Sequence, residues 1–145
     1  MRPIILITGG SRGIGAATAI LAAQRGYTAV ITYQHNQAAA EVVVTSIRSA
    51  GGHAEAVRAD VSVEADVLQT FKTIDEADGP LVALVNNAGT LDRQMRFDQM
   101  DVARIRRVFD VNVIGSMLCA REAVRRMSTR MGGQGGAIVN VSSAA

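Results

Sequence analysis

Runs of consecutive apolar residues alternate along the chain with stretches in which apolar positions recur every three or four residues. The first kind reads as strands buried on both faces, and the second as helices with one covered side. Pro3 to Thr8 is the first such strand. Gly13 to Arg25 follows as a helix with Ile14, Ala17, Thr18, Leu21 and Ala22 on one face and Gly26 as its C-terminal cap. Thr28 to Tyr33 is the second strand. Asn36 then caps a helix through Ala50 that carries Val43 and Ile47 inward, and Gly51-Gly52 turns the chain into a third strand, His53 to Ala59. Ser62 is the expected cap of the next helix, with Val67, Phe71 and Ile74 at helical spacing. Asp78-Gly79-Pro80 leads into a fourth strand at Leu81 to Val85. Residues 97–131 read as a short helix followed by a long one, and the glycine-rich stretch 132–136 separates them from a fifth strand, Ala137 to Val141.

Strand and helix thus alternate with no internal repeat and no linker. The expected fold is α/β, a Rossmann-like, doubly wound parallel sheet in three α/β/α layers, with its ligand at the carboxyl ends of the strands. At 145 residues the chain has the length of one domain. Hydrophobic residues at 48% and charged residues at 19% are ordinary globular usage, which excludes disordered and disulfide-scaffold classes.

The single cysteine, Cys119, has no internal disulfide partner, and no apolar run has the length of a signal peptide or a membrane span. A cytoplasmic protein without membrane contact is the expectation. Residues 93–130 hold nine arginines against four acids, although the whole chain carries only +2. Such an excess is compatible with nucleic acid. Arg104, Arg107, Arg121, Arg125 and Arg130 nevertheless fall on a helical pattern with few aromatics nearby, which points to a solvated or subunit-contacting face rather than a nucleic-acid surface.

Chemistry is suggested first by Thr8-Gly9-Gly10-Ser11-Arg12-Gly13-Ile14-Gly15, placed between the first strand and the first helix. Gly9 permits a tight turn, Gly13 lets the backbone approach a pyrophosphate, and Gly15 lets the helix pack closely. The free N–H groups and the dipole of that helix then face the anion, with Ser11, Arg12 and Ile14 beside it. A glycine turn that serves packing alone is the competing reading. At the end of the second strand, a carboxylate would bind the ribose 2′-hydroxyl of NAD and repel a 2′-phosphate. This chain has Tyr33-Gln34-His35-Asn36 there instead, and Arg12 is placed to pair with a phosphate, so NADP is preferred over NAD.

Together with Asp60-Val61, Asn86-Asn87-Ala88-Gly89, Asn112 and Val139-Asn140-Val141-Ser142-Ser143, the glycine loop resembles the short-chain dehydrogenase/reductase family, in that family's order and approximate spacing. The resemblance spans the whole chain but only about three fifths of a typical member. It implies that Asp60 accepts from the adenine amino group and that Val61 supports the ring. A strand-ending Asp that receives backbone N–H groups is the alternative. It further implies that Asn86, Ala88 and Gly89 steady the sheet and pass beside the nicotinamide ribose, where a purely structural Asn-rich turn is the other option. Asn112 is an amide among Val108, Phe109, Val111 and Val113, costly to bury without partners. The resemblance places it at a helix distortion, holding a water in a proton relay; a satisfied core amide is the alternative. Ser143 matches the catalytic serine, and no metal is implied.

The resemblance implies hydride transfer between NADP(H) and a small carbonyl or alcohol substrate, in a homodimer or homotetramer. It also implies a Tyr and, four positions on, a Lys beyond the serine. Here the tyrosines are Tyr27 and Tyr33 and the only lysine is Lys72, none in that context. The expectation is therefore a dinucleotide-binding domain over residues 1–145 that continues past Ala145, its fifth strand otherwise left as an unpaired apolar edge. A non-catalytic NADP-binding or scaffold module is the alternative if the chain ends there. A doubly wound domain with other chemistry, such as a methyltransferase, is the more distant one.

Overall fold

A computed structural model describes residues 1–143. Five strands form one parallel sheet: β1 (Ile4–Ile7), β2 (Thr28–Tyr33), β3 (His53–Arg58), β4 (Leu81–Asn86) and β5 (Ala137–Asn140). The helices between them are α1 (Gly13–Gln24), α2 (Gln37–Ser49), α3 (Glu64–Glu76), α4 (Val102–Phe109) and α5 (Ser116–Met127). The strand order is β3-β2-β1-β4-β5, so the chain winds outward from β1 to β3 and returns to lay β4 on the other side of β1. That reversal opens a crevice at the carboxyl ends of β1 and β4, the place where doubly wound sheets bind ligands.

Successive strand residues point to opposite faces of the sheet, and both faces are covered. Leu6, Val30 and Leu84 meet Val67, Phe71 and Ile74 of α3 and Cys119, Ala123 and Met127 of α5. Their sequence neighbours Ile7, Ile31 and Val85 meet Ala19 of α1 and Ala40, Val43, Val44 and Ile47 of α2. Phe71 is fully buried, and a side chain of that size contributes about 1.5–3 kcal/mol through burial. Burial also pushes the Cys119 thiol up to about 12, which leaves it without thiolate character at neutral pH.

Expected and observed strands agree within a residue at each end. Three details differ. On α1 the buried residues are Gly15, Ala19 and Ala22, while Ile14 and Leu21 are exposed. The helix lies so close to the sheet that only small residues fit beneath it, so its larger apolar residues mark the outer side. Ser62 does not cap α3, whose start at Val63 has no side-chain cap. Instead Ser62 donates its N–H and its hydroxyl to Asp60 Oδ1, at 2.9 and 2.6 Å. Arg104 is not on a solvated face: it is 8% exposed, and its guanidinium meets backbone carbonyls. A charge at a helical spacing reads as outward, yet an arginine whose guanidinium meets backbone carbonyls can be buried.

The stretch after β4 runs through a 3₁₀ turn (Phe97–Gln99) and α4 into a π turn (Asp110–Gly115), which joins α4 to α5. The expected long helix is thus one axis with a π turn inserted, and Asn112 sits within the insertion. Such insertions accompany functional sites more often than chance.

Candidate functional site

Two loops leave the carboxyl ends of the central strands and are tied to each other. Thr8 Oγ1 accepts from the N–H groups of Asn87 and Ala88, both at 3.0 Å. Asn87 Nδ2 returns two bonds, to the carbonyls of Thr8 and Gly9, also at 3.0 Å. The β1 loop is held on its other side by β2, where Thr32 accepts from Gly9 N through Oγ1 and from Gly10 N through its carbonyl. A buried threonine and a buried-edge amide therefore fix the glycine loop without filling it.

Within that loop Gly9 and Gly13 have φ of 65° and 55°, the left-handed region where a side chain is strained. Gly13 would point a Cβ into open space, whereas a Cβ on Gly15 would stand 2.5 Å from the Gly9 carbonyl and 2.6 Å from Asn87 Nδ2. The loop is thus open on the side facing solvent and closed on the side facing the protein. No side chain caps the start of α1, which leaves its first N–H groups for an acceptor from outside.

These loops form one wall of an open groove of about 720 Å³. Gly9, Ser11, Arg12, Gly13 and Ile14 line it from the β1 loop, Tyr33 and Asn36 from the end of β2, Asp60 and Val61 from the end of β3, and Ala88 and Gly89 from the β4 loop. The groove thus gathers expected residues from four strand ends that lie far apart in sequence. Gly15 lies behind it, at the close approach just described. Asn86 is buried in the sheet, donating from Nδ2 to Asn140 Oδ1 and the Ser116 carbonyl at 3.0 and 3.2 Å. Asn112 also stands off the groove wall; its Oδ1 accepts from Thr90 N at 2.8 Å and its Nδ2 donates to Thr90 O at 2.7 Å. Ser143 follows β5 at the same end of the sheet, exposed and outside the groove lining.

The charges are unevenly committed. Arg12 lines the groove, and its side chain has no hydrogen bond or ion pair to any described residue. Asp60 is engaged, since Oδ1 holds Ser62 and Oδ2 accepts from Gln34 Nε2 at 2.6 Å. Asn36 Oδ1 is taken by Ala39 N at 2.9 Å, the N-cap of α2. Asp92 and Arg107 line the far end as an ion pair at 2.7 Å, and the Arg107 guanidinium, with the Arg93 N–H, holds the Asp92 carboxyl below the usual carboxylate range. Thr8, Asn87, Asp92 and Arg107 were not among the residues expected from sequence. Thr8 and Asn87 carried a usable signal, since Thr8 adjoins Gly9 and Asn87 stands two positions before Gly89, each just past a strand end; Asp92 and Arg107, fifteen positions apart, carried none. Among the described residues no cluster of acids, histidines or cysteines could hold a metal, and no helix is long and apolar enough to cross a membrane.

A parallel doubly wound sheet, with a glycine loop and an uncapped helix at its reversal point, is the arrangement of nucleotide-binding α/β folds. Comparison with known proteins narrows this: a family model for short chain dehydrogenase matches residues 3–145. The chain belongs to the short-chain dehydrogenase family. It is similar to the uncharacterised oxidoreductase YgfF of Escherichia coli K12, with 54% identity over 142 residues, covering 98% of this chain and 58% of that protein. A short-chain type dehydrogenase/reductase of Picea abies is 40% identical over 147 residues, covering 97% and 53%. Among solved structures, a dehydrogenase/reductase from Sinorhizobium meliloti 1021 superposes with a TM-score of 0.89 at 35% identity, over 97% of this chain and 54% of that one. The chain thus spans little more than half the length of these relatives.

Proposed function

We propose that this chain is the nucleotide-binding part of an NADP(H)-dependent oxidoreductase acting on a carbonyl or alcohol carbon of a small molecule. Membership of a dehydrogenase family supports the reaction class. The observation that carries the choice of nucleotide is Arg12, which lines the groove with a side chain that has no partner among the described residues, together with a β2 end that lines the same groove with Tyr33, Gln34, His35 and Asn36 and no carboxylate. A cation on that wall, with no acid within the β2 end itself and the nearby Asp60 already committed to Gln34 and Ser62, favours a 2′-phosphate over a 2′-hydroxyl.

The residues present suit a dinucleotide. The open side of Gly13 leaves room against the backbone, and the start of α1 supplies donors for a diphosphate. Val61 is an apolar wall at the end of β3, where Asp60, already turned toward Gln34 and Ser62, keeps lone pairs for an amino group. Bound there, the nicotinamide would supply hydride transfer, and the protein supplies orientation and charge. Ser143 at the end of β5 is the residue proposed to hydrogen-bond the substrate oxygen. Asn112 is proposed to serve the site through the π turn and its hold on Thr90.

Fluorescence titration with NADPH and NADH tests the reading. A charge-assisted pair contributes about 1.5–3 kcal/mol, so Arg12→Ala is expected to raise the Kd for NADPH about 10- to 100-fold while moving that for NADH less than about threefold. Equal losses for both would remove the phosphate pairing. A wild-type chain that binds neither nucleotide would overturn the nucleotide reading altogether.

A further inference from the structure

The loop after β4 forms the far lip of the groove, and it is gripped from one side by α4. Asp92 takes a left-handed backbone at φ 59°, uncommon for a residue with a side chain. Its Oδ1 accepts from Arg93 N at 2.7 Å, and its Oδ2 accepts both Nε and Nη2 of Arg107 at 3.0 and 2.7 Å. One turn earlier on α4, Arg104 is buried and donates from Nη2 to the carbonyls of Leu91 and Arg93, while its Nη1 meets Met100 Sδ at 3.0 Å. Both carbonyls flank Asp92, so one guanidinium holds the backbone on either side of the residue whose side chain the other guanidinium holds.

Burying a guanidinium is costly, and the Arg104 Nε has no partner among the described residues to offset it. A helix that needed only to pack would carry an apolar residue at that position. What an arginine adds is a planar group on a long arm whose Nη2 donates to both carbonyls at once. Asp92 and Arg107 line the groove; Arg104 stands behind them.

We infer that Arg104 and Arg107 are positioning residues that hold Leu91, Asp92 and Arg93 as a preformed lip, so that the groove is already shaped at this end before a ligand arrives. The inference rests on the groove being a nucleotide site for its effect on affinity, but not for the clamp itself. A preformed lip lowers the ordering cost of binding. Loss of either arginine frees the lip and weakens the ligand without touching the sheet.

Hydrogen exchange of the full chain, read alongside NADPH titration, provides the test. In Arg107→Met, amides of residues 91–95 are expected to exchange about tenfold faster, with β1 and β4 unchanged, and the Kd for NADPH to rise about 5- to 10-fold. Arg104→Met removes the donor that both carbonyls share and is expected to loosen the same amides. Asp92→Asn leaves one oxygen where two accept, so either Arg93 N or Arg107 loses its acceptor, and the variant is expected to loosen the same amides part of the way. Unchanged exchange at residues 91–95 in both arginine variants would overturn the clamp. So would recovery of NADPH affinity in the Asp92→Asn/Arg107→Met pair while the lip stays loose, since charge balance alone would then explain the loss. If the wild-type chain binds neither NADPH nor NADH, the nucleotide reading falls, and the exchange rates still decide the clamp.

Discussion

The two faces of the sheet are built by different means. Beneath α1 and α2 the contacts are made by Ala19, Ala40, Val43, Val44 and Ile47, and none of the described side chains buried in that cluster is charged. Beneath α3 and α5 the core holds Phe71 and Met127, and among its buried side chains is Glu122, 3% exposed. That carboxylate accepts from Arg121, Arg125 and Arg126 at 2.8–3.0 Å. Arg121 reaches on to Glu64, and Arg126 to Asp75 while lying 4.9 Å above the Phe71 ring, so α5 is stitched to α3 by charge as well as by packing. The first face is limited by space and the second by protonation. A change of volume should therefore damage the first, and a change of pH the second.

The largest effect is expected where α1 meets the glycine loop on the first face. A valine at position 15 would begin with a Cβ 2.5 Å from the Gly9 carbonyl and 2.6 Å from Asn87 Nδ2, atoms held by the loop-to-loop hydrogen bonds. Neither is the free end of a flexible chain. Gly15→Val is expected to destabilise by more than about 3 kcal/mol or to prevent folding, read from urea unfolding. A loss below about 1 kcal/mol would show that α1 can shift away from the loop, and the contrast between the faces would fail on its first side.

Glu122→Ala tests the second side. Its three arginine partners are between 23% and 54% exposed, so each can turn to water once the carboxylate is gone. The expected loss is about 1–3 kcal/mol, less than for a pair sealed from solvent. Burial by itself would raise the Glu122 pKa; the hydrogen bonds from Arg126 and Arg121, with the charge of Arg125, outweigh it and hold the group below the ordinary glutamate value. A group depressed in the folded state stabilises above its unfolded pKa, about 4.3, and loses that contribution as pH falls through the folded value. Thermal midpoints of wild type and Glu122→Ala should thus differ at pH 7 and converge toward pH 3. A constant difference across that range would mean that Glu122 acts by packing alone.

The same contrast explains what could be seen beforehand. The apolar face under α2 follows a helical period, and the strand ends carry glycines and asparagines, so fold and groove were both legible. Asn112 stood out as an amide in an apolar run, and the π turn that accommodates it is found there. The covered side of α1 was misassigned because periodicity weights Ile14 and Leu21 above alanine, while close approach rewards the smaller residue. Arg104, Arg107 and Glu122 were illegible for a related reason. A charge reads as solvent-facing until a partner is known, and the partners are backbone carbonyls at Leu91 and Arg93, a carboxylate at Asp92, and three arginines around one turn. Such pairings are properties of the folded chain and leave no period behind.

Asn36 gives the smallest and sharpest test, because it belongs to the uncharged face and to the groove at once. Its Oδ1 caps α2 through Ala39 N, and its side chain lines the groove with Arg12. Asn36→Ala removes the cap and is expected to cost about 1 kcal/mol in urea unfolding. Asn36→Asp keeps an acceptor in place and adds a negative charge at a helix N-terminus, where the dipole favours it, so stability should hold or rise slightly. The same charge would stand beside the proposed 2′-phosphate site and compete for Arg12. NADPH affinity is therefore expected to fall about tenfold in Asn36→Asp, with NADH little changed, while Asn36→Ala shifts both nucleotides alike. Equal NADPH affinity in the two variants would place the phosphate away from the end of β2, and would leave Asn36 as a helix cap only.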